Sequence, residues 1–234
     1  MSTVTIPTTG DEATGYLALP PGDLGAGVLV LHAWWGLTPI FRAACDRLAA
    51  AGFVALAPDL YGGETAATID EAQALVARRD TAARQARADG ALAYLQGLPE
   101  VRGAQVGVVG FSMGGSWACF LAGEHPTAIA AVATFYDDSE LEPGTRAAVL
   151  GHFGEADEFA DVAALTTLVE QWRTIVSAAS AHFYPGAHHW FAEEDRPGYY
   201  DAEATEIAWA RTIDFLVSNL ASNITAHRKS NPAP

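Results

Sequence analysis

A single serine stands among glycines in the stretch Gly110-Phe111-Ser112-Met113-Gly114-Gly115, directly after the apolar run at 105–109. G-x-S-x-G between a strand and a helix is the pattern of a nucleophile elbow. The turn is sharp and strained, and it places a serine hydroxyl at the start of a helix, where backbone N–H groups support developing negative charge. Small residues two before and two after the serine let strand and helix pass closely. A serine hydroxyl is a weak nucleophile, so it needs a base, and the base needs an acid to orient it. In the order serine, acid, histidine, the chain offers Glu155, Asp157 and Glu158 in GEADEF, then His188 and His189 in PGAHHWF. Each cluster follows a predicted strand, at 147–153 and 181–184, and open α/β sheets assemble their sites past strand ends. Spacing alone leaves the choice within each cluster open. Glycine-rich turns also serve nucleotide-binding folds, but 110–115 lacks the lysine of a phosphate loop and no G-x-G-x-x-G follows the first central strand.

The elements that must position these residues alternate between strand-like and helix-like patterns, which predicts an α/β fold with a mostly parallel central sheet and helices on both faces. Residues 4–6 and 15–19 read as a short antiparallel entry. Residues 27–32, 53–57, 105–109, 129–135, 147–153 and 181–184 read as strands. Helices are predicted over 38–51, 70–96, 113–123, 162–179 and 202–220, with Thr38-Pro39 opening the first and Gly52 stopping it. Residues 1–220 are expected to form one domain and 221–234 a flexible tail.

Composition narrows the classes. Of the 234 residues, 50% are hydrophobic and 18% charged, the balance of a globular protein. A net charge of −15 without a basic block argues against nucleic acid and anionic membrane as partners. The N-terminus has no basic, then apolar, leader, and no run of eighteen apolar residues occurs, so a cytoplasmic protein is expected. Cys45 and Cys119 fall in predicted helices and do not make a disulfide framework.

Five blocks carry a resemblance: VLHAWWGL at 30–37, FVALAPDLYGG at 53–63, GFSMGG at 110–115, GHFGEAD at 151–157, and YPGAHHWF followed by EIAWARTIDFL. Together, and in this order over nearly the whole chain, they resemble the dienelactone hydrolase family of α/β-hydrolases. The resemblance implies an α/β-hydrolase fold, with Asp157 as the acid and His189 as the base for Ser112. It also implies an oxyanion hole made of the backbone N–H groups of Met113 and Trp34, the two places from which the elbow mechanism draws its donors. No metal or organic cofactor is called for.

Two departures from the family pattern shape the expected chemistry. Many members carry a cysteine in the elbow and a glutamate at the position held here by Ala33. A thiol can be activated by local charge, whereas serine must hand its proton to the base during attack, so Ser112 with Ala33 points to a conventional serine mechanism. Members that cleave dienelactone hold its carboxylate with arginines, one of them shortly after the histidine. Here that stretch reads Ala192-Glu193-Glu194-Asp195, with Arg196 beyond, and carboxylates repel an anionic substrate. Trp34, Trp35, Tyr136 and Trp190 are expected to line an apolar, aromatic pocket. The expected substrate is a small neutral ester or lactone, cleaved through an acyl-enzyme by a monomer or small homo-oligomer. Acyl transfer or perhydrolysis on the same acyl-enzyme is the alternative, as is a binding protein that keeps the fold without turnover.

The remaining polar residues have plainer readings. His188 is a neighbour of the base. His188, His189, Glu193 and Asp195 lack the helical H-x-x-x-H spacing of a metal site, so no metal is expected. His32 and His152 are structural, and Cys119 is a small buried hydrophobe. Arg78, Arg79, Arg84 and Arg87 are read as a solvated helix face, the alternative being that one of them reaches over the site to a substrate carboxylate. The loop at 61–68 is a candidate lid.

Overall fold

The computed structural model describes residues 2–78 and 80–230, with side chains up to residue 220. Its strands are β1 (Ser2–Ile6), β2 (Ala13–Ala18), β3 (Gly27–Leu31), β4 (Val54–Pro58), β5 (Val106–Phe111), β6 (Ile129–Phe135), β7 (Ala148–Gly154) and β8 (Ala179–Tyr184). The helices are α1 (Pro39–Ala50), α2 (Ile69–Ala77), α3 (Thr81–Gly97), α4 (Met113–Glu124), α5 (Val162–Ile175) and α6 (Ala202–Ser230). The strands form one sheet in the order β1-β2-β4-β3-β5-β6-β7-β8. β2 runs antiparallel to β1 and β4, while β3 with β4, β6 with β7, and β7 with β8 are parallel.

Two compact units make up the chain, one reaching to Gly107 and taking in the chain from Leu220 onward, the other Val108–Asn219. In the first, every residue of β3 and β4 is buried, as their continuous apolar sequences require of strands covered on both faces. Helix α1 packs on β2, β3 and β4 through Phe41, Ala44, Cys45, Leu48 and Ala49. Helix α3 packs on β1, β3 and β4. In the second, β7 and the part of β5 from Val108 onward are wholly buried. Phe111 stacks on Phe135 at 4.8 Å between ring centres, with Trp209 5.5 Å from Phe135. Trp172 on α5 is fully buried, and its indole N–H donates to the Ser139 carbonyl at 3.1 Å.

Several boundaries depart from expectation for local reasons. The helix predicted over 70–96 is two helices. Thr68 and Glu71 form a reciprocal capping box that opens α2, and the Asp80 carboxylate accepts from the Ala83 N–H to open α3. Helix α5 stops at Ile175, because Val176 is already extended (φ −129°, ψ 123°) and leads into β8, which pairs Ala179 with Val149. Helix α6 continues to Ser230, past the tail boundary expected at 220, as no glycine or proline interrupts it before Pro232. Residues 231–234 of that tail lie outside the described residues. Thr38 does open α1, but through its backbone: its carbonyl accepts from Phe41 and Arg42, while its hydroxyl is buried without a partner among the described residues.

Of the arginines predicted as a solvated face, Arg78 is exposed as expected, whereas Arg84 is buried and Arg87 half-buried. Arg84 is only 8% exposed, gives an N–H to the Leu75 carbonyl at 2.8 Å and lies over the Tyr61 ring. Arg87 donates to the Leu60 carbonyl at 3.0 Å, and Arg78 pairs with Glu64. Arg79 lies outside the described residues.

Candidate active site

Strand β5 delivers Ser112 into a turn with φ 48° and ψ −119°. That strain is held by hydrogen bonds on both sides. Ser112 N–H donates to the Phe135 carbonyl at 2.9 Å, and the Ser112 carbonyl accepts from Gly115 at 2.6 Å and Ser116 at 3.3 Å to begin α4. The flanking glycines are needed for space. A Cβ on Gly110 would run into the backbone of Gly114 and Gly115, and one on Gly115 would meet the Asp137 side chain. Met113, directly after the serine, is the first residue of α4.

The loops after β7 and β8 are tied together by their backbones. Glu155 N–H donates to the Tyr184 carbonyl at 3.0 Å, and Ala156 N–H to that of Ala187 at 2.9 Å. A side chain on Gly154 would strike the Ala187 carbonyl. This approach sets Asp157 against His189, whose Nδ1 lies 2.7 Å from Oδ2 of Asp157. A carboxylate can only accept, so Nδ1 carries the proton and Nε2 is left as an acceptor. Nε2 is 3.0 Å from Ser112 Oγ. Both partners are well covered, the His189 side chain 10% and that of Asp157 3% exposed, and the second carboxylate oxygen accepts from Phe159 N–H at 2.8 Å. Within each sequence cluster one residue is therefore brought to the serine. Of the others, His188 turns outward to pair with Glu158 at 2.8 Å, and Glu155 is exposed.

Aromatic rings surround the imidazole: Phe159 at 4.8 Å, Tyr136 at 5.0 Å and Trp190 at 5.2 Å between centres. Tyr136 and Trp190 share with Ser112 a positive φ, at 44° and 58°. Three of the four non-glycine residues with positive φ among the described residues thus sit at this site, where strain characteristically collects. Trp35, Tyr136 and Trp190, expected to line a pocket, are at most 2% exposed. A cavity of about 20 Å³ beside Tyr136, Asp137, Phe159 and His189 has room for about one water.

Two buried carboxylates stand behind this layer, Asp137, which the sequence reading missed, and Glu193, which it read differently. Asp137 accepts from the hydroxyls of Ser116 and Ser139 at 2.9 and 2.8 Å, with Cys119 Sγ at 3.9 Å. Burial pushes Asp137 up to about 6 against those hydrogen bonds, and it pushes the Cys119 thiol well above its usual range. Glu193, read as facing an anionic substrate, is fully buried instead. It accepts from the Tyr136 hydroxyl at 3.0 Å, and Arg196 Nε lies 4.0 Å from its other oxygen. The available signal was position, as Asp137 follows β6 just as Asp157 follows β7.

The structural histidines behave as read. His32 Nε2 accepts from the Leu60 N–H at 3.1 Å, which puts its proton on Nδ1, 2.7 Å from the Ala33 carbonyl. His152 joins Tyr184 and Thr212 in a fully buried network, and burial lowers its pKa well below the usual value. In the first unit, Trp34 and Trp35 follow β3, and the candidate lid loop is tied down there by Ala66 N–H donating to the Trp35 carbonyl at 2.9 Å. Among the described residues no three His, Cys, Asp or Glu side chains gather as metal ligands, and no helix is long and apolar enough to cross a membrane.

The pattern of the dienelactone hydrolase family matches residues 13–220. The chain belongs to this family. Among its relatives, the hydrolase is 30% identical to the "Putative carboxymethylenebutenolidase" of Aquifex aeolicus, over 90% of this chain and 95% of that one. It is also 30% identical to the "Probable 2-oxo-3-(5-oxofuran-2-ylidene)propanoate lactonase" of a Bradyrhizobium species, over 96% and 97%. In fold, the hydrolase matches the crystal structure of a dienelactone hydrolase-like promiscuous phosphotriesterase from metagenomic libraries. That match has a TM-score of 0.81 at 23% identity and covers 93% of this chain and 98% of the other.

Proposed function

We propose that this family member is a serine hydrolase that cleaves small neutral carboxylic esters or lactones through an acyl-enzyme. The observation that carries the reading is the unbroken relay from Ser112 Oγ through both ring nitrogens of His189 to Asp157, at 3.0 and 2.7 Å. In it His189 Nε2 takes the serine proton as Oγ attacks the carbonyl carbon, and Asp157 stabilises the imidazolium that forms. The oxyanion is held by the Met113 N–H at the start of α4, with Trp34 N–H in its expected role as second donor. His189 returns the proton to the leaving alkoxide. A water, deprotonated by the same nitrogen, then attacks the acyl carbon, and the proton passes back to Ser112 as the acid leaves.

The serine mechanism is supported by the surroundings of the elbow. Ala33, where many members carry glutamate, is fully buried and gives its carbonyl to the structural His32, so no carboxylate stands there to charge a nucleophile directly. The preference for neutral substrates rests on the aromatic rings of Tyr136, Phe159 and Trp190 around His189. Hydrolysis of short p-nitrophenyl esters by wild type and Ser112→Ala, with a fluorophosphonate label mapped by mass spectrometry, tests it. Label on Ser112 and loss of turnover in the variant are expected. Turnover that survives Ser112→Ala overturns the assignment.

A further inference from the structure

A cavity of about 580 Å³ in the first unit, bounded by α2, α3 and the turn after β4, lies among Tyr61, Leu75, Arg78, Asp80, Arg84 and Arg87. Its size falls in the range of small-molecule sites. Three guanidinium groups meet there in a chain that carries 13 lysines and arginines against 28 carboxylates. The two carboxylates at its wall are already engaged: Glu64 pairs with Arg78, and Asp80 caps the Ala83 N–H. Arg84 and Arg87 have no carboxylate partner among the described residues. Each spends one N–H on a backbone carbonyl, of Leu75 and Leu60, which anchors the head group and leaves the rest of its fork uncommitted. Arg84 is about nine-tenths buried and backed by the Tyr61 ring at 4.8 Å, so its position is fixed before any ligand arrives. A guanidinium buried without a counter-charge is costly, and an arriving anion repays that cost through paired N–H···O bonds.

We propose that this cavity is a binding site for a small oxyanion, a carboxylate or phosphate head group, held by Arg84 and Arg87 with Tyr61 and Leu75 against the remainder of the ligand. It is distinct in sequence from the stretch after His189 where the family pattern places a carboxylate-binding arginine. The proposal does not depend on the serine mechanism.

Calorimetric titration of Ser112→Ala protein with benzoate, inorganic phosphate and the neutral control benzamide, at fixed ionic strength, tests it. Saturable binding of benzoate or phosphate but not benzamide is expected, weakened at least tenfold by added Arg87→Gln or Arg84→Lys. The preferred anion identifies the head group. On unaltered protein, the same anion should slow phenylglyoxal modification of Arg84 and Arg87, read by peptide mapping, which guards against a variant that fails to fold. Absence of binding by both anions, binding indifferent to both substitutions in folded protein, or unprotected arginines would overturn the proposal.

Discussion

The Tyr136 ring lies 5.0 Å from the His189 imidazole, while its hydroxyl, at the far end, donates to the fully buried Glu193 at 3.0 Å. The residue beside the proposed base is thus fixed by a buried carboxylate. Burial first, and then the Glu193 charge, push the Tyr136 phenol well above its usual range, so it remains a donor throughout the working pH range. Replacing Tyr136 by Phe leaves a buried carboxylate oxygen without its donor, at a cost of about 1–3 kcal/mol. Thermal unfolding should show a fall of roughly 2–10 °C for a chain of this size. A Tyr136→Phe protein as stable as wild type would mean that this hydrogen bond is not formed.

Asp157 presents a different case, since it acts on His189 by fixing which nitrogen carries the proton. Asp157→Asn can offer its amide N–H to Nδ1, which favours the wrong tautomer and leaves Nε2 unable to accept from Ser112. On a p-nitrophenyl ester, kcat should drop by about 10³–10⁴-fold with little change in KM or in circular dichroism. His188→Ala should leave kcat within about twofold, because that ring faces Glu158 and solvent. A loss in Asp157→Asn no larger than that in His188→Ala would remove Asp157 from the relay.

The elbow glycines make a steric prediction. Gly115→Ala places a methyl group against the Asp137 side chain, and overpacking of this kind costs about 1–3 kcal/mol. Gly110→Ala is worse, because the obstacle is backbone at Gly114 and Gly115, which cannot rotate away. Fluorophosphonate labelling of Ser112 should therefore be slowed more by Gly110→Ala than by Gly115→Ala, with urea midpoints falling in the same order. The reverse order would show that the turn relaxes more readily than Asp137 does.

These outcomes bear on how far the sequence alone could go. The apolar runs at 27–31 and 129–135 are strands, legible from their shortness and β-branched content, and the serine between its glycines marks the turn after β5. The histidine and the acid were legible only as clusters from residues alone. What selects Asp157 over Glu158, and His189 over His188, is a long-range meeting of two loops through Ala156 and Ala187, which no local pattern encodes. The break between α2 and α3 was written in Thr68, Glu71 and Asp80, but capping chemistry competes there with continuous helical periodicity. Arg84 and Glu193 show the remaining gap. Charged residues are read as exposed by default, and only the fold reveals a neighbouring carbonyl or phenol that lets them be buried.

Asp137 yields a prediction whose sign runs against the usual acid denaturation. Its carboxyl, fully buried, titrates at about 6, against about 4 for an aspartate in an unfolded chain. Between those values the folded protein holds more protons than the unfolded one, so this group's contribution to stability falls as pH rises from about 4 to about 6, and is level above that. The whole cost, of order 3 kcal/mol at neutral pH, should be recovered by Asp137→Asn, which keeps an oxygen for the Ser116 and Ser139 hydroxyls. Buried His152 works in the opposite direction, losing stability as pH falls below about 6.5, so wild type alone would show a muted profile. The informative quantity is the difference in urea unfolding free energy between Asp137→Asn and wild type. It should be small at pH 4 and grow by about 2–3 kcal/mol by pH 7. A difference for Asp137→Asn that stays flat over this range would mean that the three hydroxyl and thiol neighbours stabilise the carboxylate enough to offset its burial.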